Sequence, residues 1–266
     1  MRFFIPDLQP TPERTGSSGG LLSKLFGQNR GVRDDQTAIR ERLGGVPFGL
    51  AASAWPTCSE CGKSQSLLAQ FEHHPERLDL GREGRALMVF QCNHDPGMCA
   101  TWEAFSGANA CLVVEPEDLG DAETSVPADQ PPIENCALVT QWLARTDPVP
   151  EDLADQFYAE ASYRRLERSL LAQVTWSTRL GGVPCWIQSP DEAPGSGWRF
   201  IGQLDSTYSF LQPPVPGQPW VMADPEAYEG RTHLAAGPNF GGGGLAYLFL
   251  REGEQRPDVA MFWQCG

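Results

Sequence analysis

Apolar positions along this chain fall in short runs separated by turn residues. Long stripes of helical period are rare. Leu67–Phe71, Ala86–Cys92, Ala110–Val114, Leu245–Leu250 and Ala260–Cys265 are such runs, flanked by Gly, Pro, Asn, Asp or charged positions. That pattern predicts strands. Cys136–Leu143 predicts another, although Trp142 and Leu143 also suit the start of a helix. Helical signals concentrate in Glu151–Phe157 and Ser162–Gln173. Pro150 precedes an acidic first turn, and Leu166, Leu170 and Leu171 recur at helical spacing. Residues 1–33 carry little pattern. Thr15–Gly20 reads as a flexible loop, and Leu21, Leu22, Leu25 and Phe26 share one helical face. Asp34 and Asp35 are suited to cap a helix running to Leu43, which Gly44-Gly45 would end.

The stretch Arg42-Leu43-Gly44-Gly45-Val46-Pro47 returns as Arg179-Leu180-Gly181-Gly182-Val183-Pro184. Each copy is followed by a Gln-bearing run, Leu67–Phe71 or Phe200–Leu204. Each then meets a Gly-led run, Gly84–Phe90 or Gly244–Phe249. Three segments in one order, twice, imply one structural unit built twice. The expected fold is therefore α+β and β-rich, internally duplicated, with two similar sheet-based halves and a few short helices. The expected divisions are an N-terminal extension over 1–40, a first half over 41–146, and a helical connection with the second half over 147–266. Residues 115–135, acidic and Pro-rich, read as a surface connection between the halves.

Composition agrees with a chain of strands and turns. The 266 residues include 28 Gly and 23 Pro, and a 41% hydrophobic fraction suffices for a core. A net charge of −14 repels nucleic acid and anionic membrane, and attracts a basic protein. It also keeps a protein soluble, which is the plainer reading. No run approaches the ~20 apolar residues of a membrane span, and Met1–Pro6 lacks the apolar continuation of a secretory signal. A cytoplasmic location is expected, so the 8 Cys are read as thiols or metal ligands before disulfides.

Cys58-Ser59-Glu60-Cys61 is a CxxC between Trp55-Pro56 and Gly62-Lys63. A second pair, Cys92 and Cys99, brackets a loop after a predicted strand, with His94 inside it. Two such pairs suit a closed, structural zinc site of four thiolates, in which His94 is able to replace one. A redox CxxC, ordinary buried thiols and one adventitious disulfide are the alternatives. At the matching place the second half has Asp191-Glu192-Ala193-Pro194, so a metal would serve one half only. Cys111, Cys136, Cys185 and Cys265 stand in apolar surroundings and read as core.

No catalytic set emerges. His73 and His74 precede Pro75 among charged residues, and His233 lies near the glycine run; all three read as loop positions. GxSxG and HExxH are missing. Gly241–Gly244 lacks the context of a phosphate or dinucleotide loop and reads as a tight β connection. Trp186, Trp198, Phe200, Tyr208, Phe210 and Trp220 are aromatic enough to line a pocket, and also suit the core of a β-rich half.

The Leu-Gly-Gly-Val-Pro pair, the Gln70 and Gln203 segments, Cys185-Trp186-Ile187-Gln188 and Gly243–Phe249 together resemble the YwqG-like family of bacterial proteins. The first half, with its CxxC, is similar to the programmed-cell-death-2 proteins. The resemblance implies a duplicated β-rich fold and supplies no catalytic residues. It also implies a place beside polymorphic toxins, where some members act as immunity proteins. With the charge, this leads to the expectation of a non-enzymatic protein that binds and neutralises a basic antibacterial toxin, such as a nuclease delivered by a type VI secretion system. An acidic escort of a basic ribosomal or nucleic-acid-binding protein is the alternative, and an enzyme with its pocket between the halves is a third reading. Candidate contact residues are Glu115, Glu117, Asp118, Asp121 and Glu123 in one segment, and Asp147, Glu151, Asp152 and Asp155 in another. Charge runs of this kind are more often plain solvated surface.

Overall fold

The structure, a computed structural model, describes residues 1–11, 40–95, 97–190, 194–211, 220–224, 231 and 233–266. The first strands are β1 (Arg2–Pro10), β2 (Arg42–Leu43), β3 (Ser66–Glu72), β4 (Ala86–Gln91), β5 (Asn109–Val114) and β6 (Ala137–Thr146). They continue as β7 (Arg179–Gly181), β8 (Arg199–Asp205), β9 (Thr207–Phe210), β10 (Met222–Ala223), β11 (His233–Ala236), β12 (Leu245–Arg251) and β13 (Asp258–Gln264). Ten of them form one nearly closed sheet in the order β13-β12-β8-β7-β1-β6-β2-β3-β4-β5. Its strand pairings among the described residues are antiparallel. The other three form a small sheet, β10-β11-β9.

The strand runs look continuously apolar because both faces are covered. On β4, Leu87 and Val89 face the main core while Met88 and Phe90 face an outer cluster with Val46, Leu50 and Trp55. On β12, Ala246, Leu248 and Leu250 face the main core, and Leu245, Tyr247 and Phe249 join Trp186, Phe200 and Phe262 outside. The small sheet adds Tyr208, Phe210 and Ala235 to the main core.

The two Arg-Leu-Gly-Gly-Val-Pro stretches take up matching positions. Arg42 pairs with Gln70 across β2–β3, and Arg179 pairs with Gln203 across β7–β8. Gln70 Oε1 accepts the Phe48 N–H at 2.8 Å, and Gln203 Oε1 accepts the Cys185 N–H at 3.0 Å. Arg42 and Arg179 each donate to the carbonyl four residues on, Val46 and Val183. The Gly pairs have φ of 64° and 72° in the first turn and 80° and 72° in the second. A Cβ on Gly45 would meet Cys136 Sγ at 2.9 Å, and one on Gly182 would meet Asp147 Oδ2 at 2.5 Å. Only glycine fits such turns.

Three expectations are corrected. Residues 2–10 are no loose extension: they form β1, near the middle of the large sheet between β6 and β7. The helix running to Leu43 is replaced at its end by strand β2. The helix over Ser162–Gln173 is two single turns, α1 (Glu160–Tyr163) and α2 (Arg168–Leu171), with Glu167 extended between them. This break lets Leu166 be buried while Leu170 and Leu171 pack on the same Val149–Phe157–Val183 cluster. Glu151–Tyr158 is a 3₁₀ helix. The readings of Thr15–Phe26, of Asp34-Asp35, and of Asp191, Glu192 and Ala193 lie outside the described residues.

Candidate metal centre and adjoining groove

Two turns bring the four predicted thiols together. In the first, Cys58 N–H donates to the Lys63 carbonyl and Gly62 N–H to the Cys58 carbonyl, closing the CxxC knuckle with Gly62 at φ 70°. The second follows β4, where Cys92 N–H donates to the Ala108 carbonyl. Glu60 Oε1 accepts the Ala100 N–H at 3.0 Å and ties the turns to each other. The Sγ atoms of Cys58, Cys61, Cys92 and Cys99 all lie within 4.8 Å of one another. Cys61–Cys92 is 3.5 Å and Cys92–Cys99 is 3.8 Å.

The donor set fits zinc. A tetrahedron with Zn–S bonds of ~2.3 Å has S–S edges of about 3.8 Å, and all four thiols are free of disulfides. Burial pushes the Cys92 thiol up to about 11 and raises Cys99 further. At Cys61 the upward push of burial is outweighed by hydrogen bonds from the Lys63 backbone and the neighbouring thiols, so it lies below its usual value. Packing four thiols this closely in a largely dry pocket is favourable when a divalent cation replaces their protons. Cys58, Cys61, Cys92 and Cys99 would hold it, and its contribution is a closed cross-link between two loops. His94 is directed elsewhere: its Nε2 lies 3.1 Å from the Ser64 carbonyl and 3.9 Å from Asp129.

The segment 97–108 that leaves this centre reaches over the seam where β5 approaches β13. Thr101 Oγ1 accepts the Trp263 Nε1–H at 3.2 Å, and Trp102 packs edge-on against Trp263 with ring centroids 6.2 Å apart. Phe105 lies 5.5 Å from Trp198. Elsewhere along the seam, Arg256 donates to the Val113 carbonyl and Gln91 to the Asn239 carbonyl.

Beside the seam is a cavity of about 710 Å³, walled by Leu50, Leu112, Val114, Phe105, Trp198 and Arg251, among others. Arg251 stacks over Trp198 and is neutralised by Asp258 at 2.7 Å. Cys111, also on its wall, is held protonated, its thiol pushed up to about 12 by burial. A second trough of about 390 Å³ shares Leu50, Ala51 and Asp118 with the first and continues past Glu117, Asp121 and Glu123. Of the predicted contact residues, Glu115 and Glu117 pair with Arg82, Glu115 also with Arg85, and Glu123 with Arg42. Glu151 lies 3.6 Å from the N-terminal amine. Asp118, Asp121, Asp152 and Asp155 are exposed and have no ion pair among the described residues.

Asp147 is a correction. Its side chain is 0% exposed and faces Arg179, and it accepts the Val149 and Val183 N–H groups, so it braces the second turn from the interior and is not part of the surface. The core reading of Trp186, Phe200, Tyr208 and Phe210 agrees with their burial, whereas Trp198 lines the cavity. Sequence reading missed Phe105. Its only signal was an aromatic inside a Ser-Gly loop.

No family model matches this chain, and no curated protein is significantly similar to it.

Proposed function

We propose that this protein acts by binding, as an immunity protein that neutralises a basic antibacterial toxin in the cytoplasm. The observation that carries this reading is the uncompensated charge at the surface: Asp118 and Asp121 on one rim, Asp152 and Asp155 on another, within a chain of net charge −14. Such a surface speeds encounter with a cationic nuclease and covers its nucleic-acid groove with carboxylates. The resemblance of the Leu-Gly-Gly-Val-Pro, Gln and Gly-Leu-Ala-Tyr segments to the YwqG-like family supports the immunity role. Among the described residues, no helix is long and apolar enough to cross a membrane.

We further propose that the sheet arose by duplication. The two Arg–Gln clasps, and the matched orders β2-β3-β4-β5 and β7-β8-β12-β13 on either side of β1 and β6, support it. A structural zinc at the four cysteines completes the reading.

Co-expression tests the function. Cells carrying the toxin gene adjacent to this one should survive only with this protein, and the pair should co-purify. Absence of rescue, with no complex formed by any neighbouring gene product, overturns it. Capture of a ribosomal protein in place of a toxin would instead favour an escort.

A further inference from the structure

The cavity at the seam and the acidic trough adjoin, with Leu50, Ala51 and Asp118 lining both, and so make a two-part channel. Its two ends differ in chemistry. At one end, aliphatic side chains from residues 50, 112 and 114 line the cavity with Phe105 and Trp198, and its two cations are both engaged, Arg251 by Asp258 and Arg256 by the Val113 carbonyl. At the other, Asp118 and Asp121 stand exposed with no ion pair among the described residues. Phe105 is unusual in two ways. It has φ of 68°, a backbone region that costs a non-glycine residue on the order of 1 kcal/mol. It also leaves 66% of its surface in water. A large apolar side chain held in strain at the mouth of an apolar cavity gains by being covered. Its loop is fixed at both ends, by Cys92 and Cys99 at the metal centre and by the Ala108–Cys92 hydrogen bond.

We propose that this channel is the docking site for an extended segment of a basic protein. A large apolar side chain of that segment enters the cavity beside the packed Phe105–Trp198 pair, and lysines or arginines next to it lie over Asp118 and Asp121. Charge complementarity selects this occupant: an acidic segment would meet uncompensated carboxylates at one end, and a wholly apolar one would leave them dry and unpaired. The inference deepens the binding role proposed above and rests on it for the identity of the natural partner.

The test uses the full-length protein and a fluorescein-labelled peptide carrying a leucine–tryptophan pair followed by four lysines. Fluorescence anisotropy should show saturable binding. Phe105→Ser should weaken it about tenfold. Asp118→Asn with Asp121→Asn should weaken it roughly fivefold and flatten its salt dependence. A peptide with glutamates in place of lysines should not bind. Circular dichroism checks that the exposed-site variants keep the fold. Equal affinity for wild type and both variants, or no binding at millimolar peptide, overturns the proposal. Rescue from a toxin by the Phe105→Ser protein at wild-type level would sink the channel and leave the immunity reading standing. Peptide binding in this channel without any toxin partner would do the reverse.

Discussion

The two flanks of the sheet place similar strands in similar order and secure them differently. On the β2–β5 side the outer face carries Val46, Leu50, Leu67, Met88 and Phe90, and beyond them the four-cysteine cluster. On the β7–β13 side the outer face is an aromatic stack, with Trp186 4.6 Å from Tyr247 and nearly parallel to Phe249 and Phe262. The turn clasps differ in the same sense. Arg42 reaches outward to half-exposed Glu123, whereas Arg179 and Asp147 face each other with side chains 0% exposed. One flank thus holds a four-thiol cluster fit for a metal, and the other is filled by rings and a buried ion pair. A loop-rich flank with a small outer cluster has most to gain from a metal cross-link.

The largest expected effect comes from removing the cross-link. Purified protein should contain one zinc per chain, lost in Cys58→Ser. Strong chelation should cost on the order of 5 kcal/mol, about 10–20 °C in Tm for a chain of this size. Hydrogen exchange should rise in β4, β5 and the segment 97–108 and stay low in β12. An unchanged Tm would end the assignment of a structural role to the metal.

Next comes the pair of clasps. Arg179→Met strands the Asp147 carboxylate in the interior and should cost about 3–5 kcal/mol. Arg42→Met releases Glu123 to water and should cost about 1 kcal/mol. Burial already holds the Arg179 guanidinium below its ordinary pKa, against the pull of Asp147. Equal losses in urea titrations of the two variants would erase the distinction between the flanks.

The third effect is pH-dependent. Burial pushes Asp205, on β8, up to about 7 from an ordinary 3.8, and Glu134, beside the Gly44 turn, up to about 7 from 4.5. An unfolded carboxyl releases its proton near pH 4, while these folded ones keep theirs until about pH 7. Stability is therefore full below pH 4 on their account and falls as pH rises through that window, on the order of 4 kcal/mol for Asp205 and about 3 kcal/mol for Glu134. Asp205→Asn should flatten the decline of the urea midpoint between pH 4 and 7. An unaltered slope would show that Asp205 ionises normally in the fold.

The smallest stability effect belongs to the surface. Phe105→Ser and Asp118→Asn should shift the unfolding free energy by less than about 0.5 kcal/mol. A larger loss by thermal denaturation would mean that the seam, and not a partner, requires Phe105.

Much of this architecture was legible in the chain. Strands β3, β4, β12 and β13 announce themselves as apolar runs because neither face meets water. The cysteine spacing located the four-thiol cluster, since a knuckle and a hairpin loop are local structures. Strand β1 was hidden because Pro6, Asp7, Gln9 and Pro10 break its alternation. Its register shift at Asp7–Leu8 accommodates them, and Asp7 is anchored by Gln141. The two- and three-residue strands β2 and β7 are too short to show a period. The buried role of Asp147 was invisible because its partner, Arg179, is brought to it only by the tertiary fold. Phe105 was missed for a similar reason: its setting depends on the approach of β5 to β13.

Strand β1 has a kinetic consequence. Its neighbours in the sheet are β6, more than a hundred positions downstream, and β7, which begins at Arg179. This segment must therefore wait, with both hydrogen-bonding edges open, until the chain as far as Gly181 has been synthesised. Non-local closure of this kind slows folding and lengthens the exposure of sticky backbone. Yield in a heterologous host should accordingly respond to translation temperature and holdase chaperones more than its final stability would suggest.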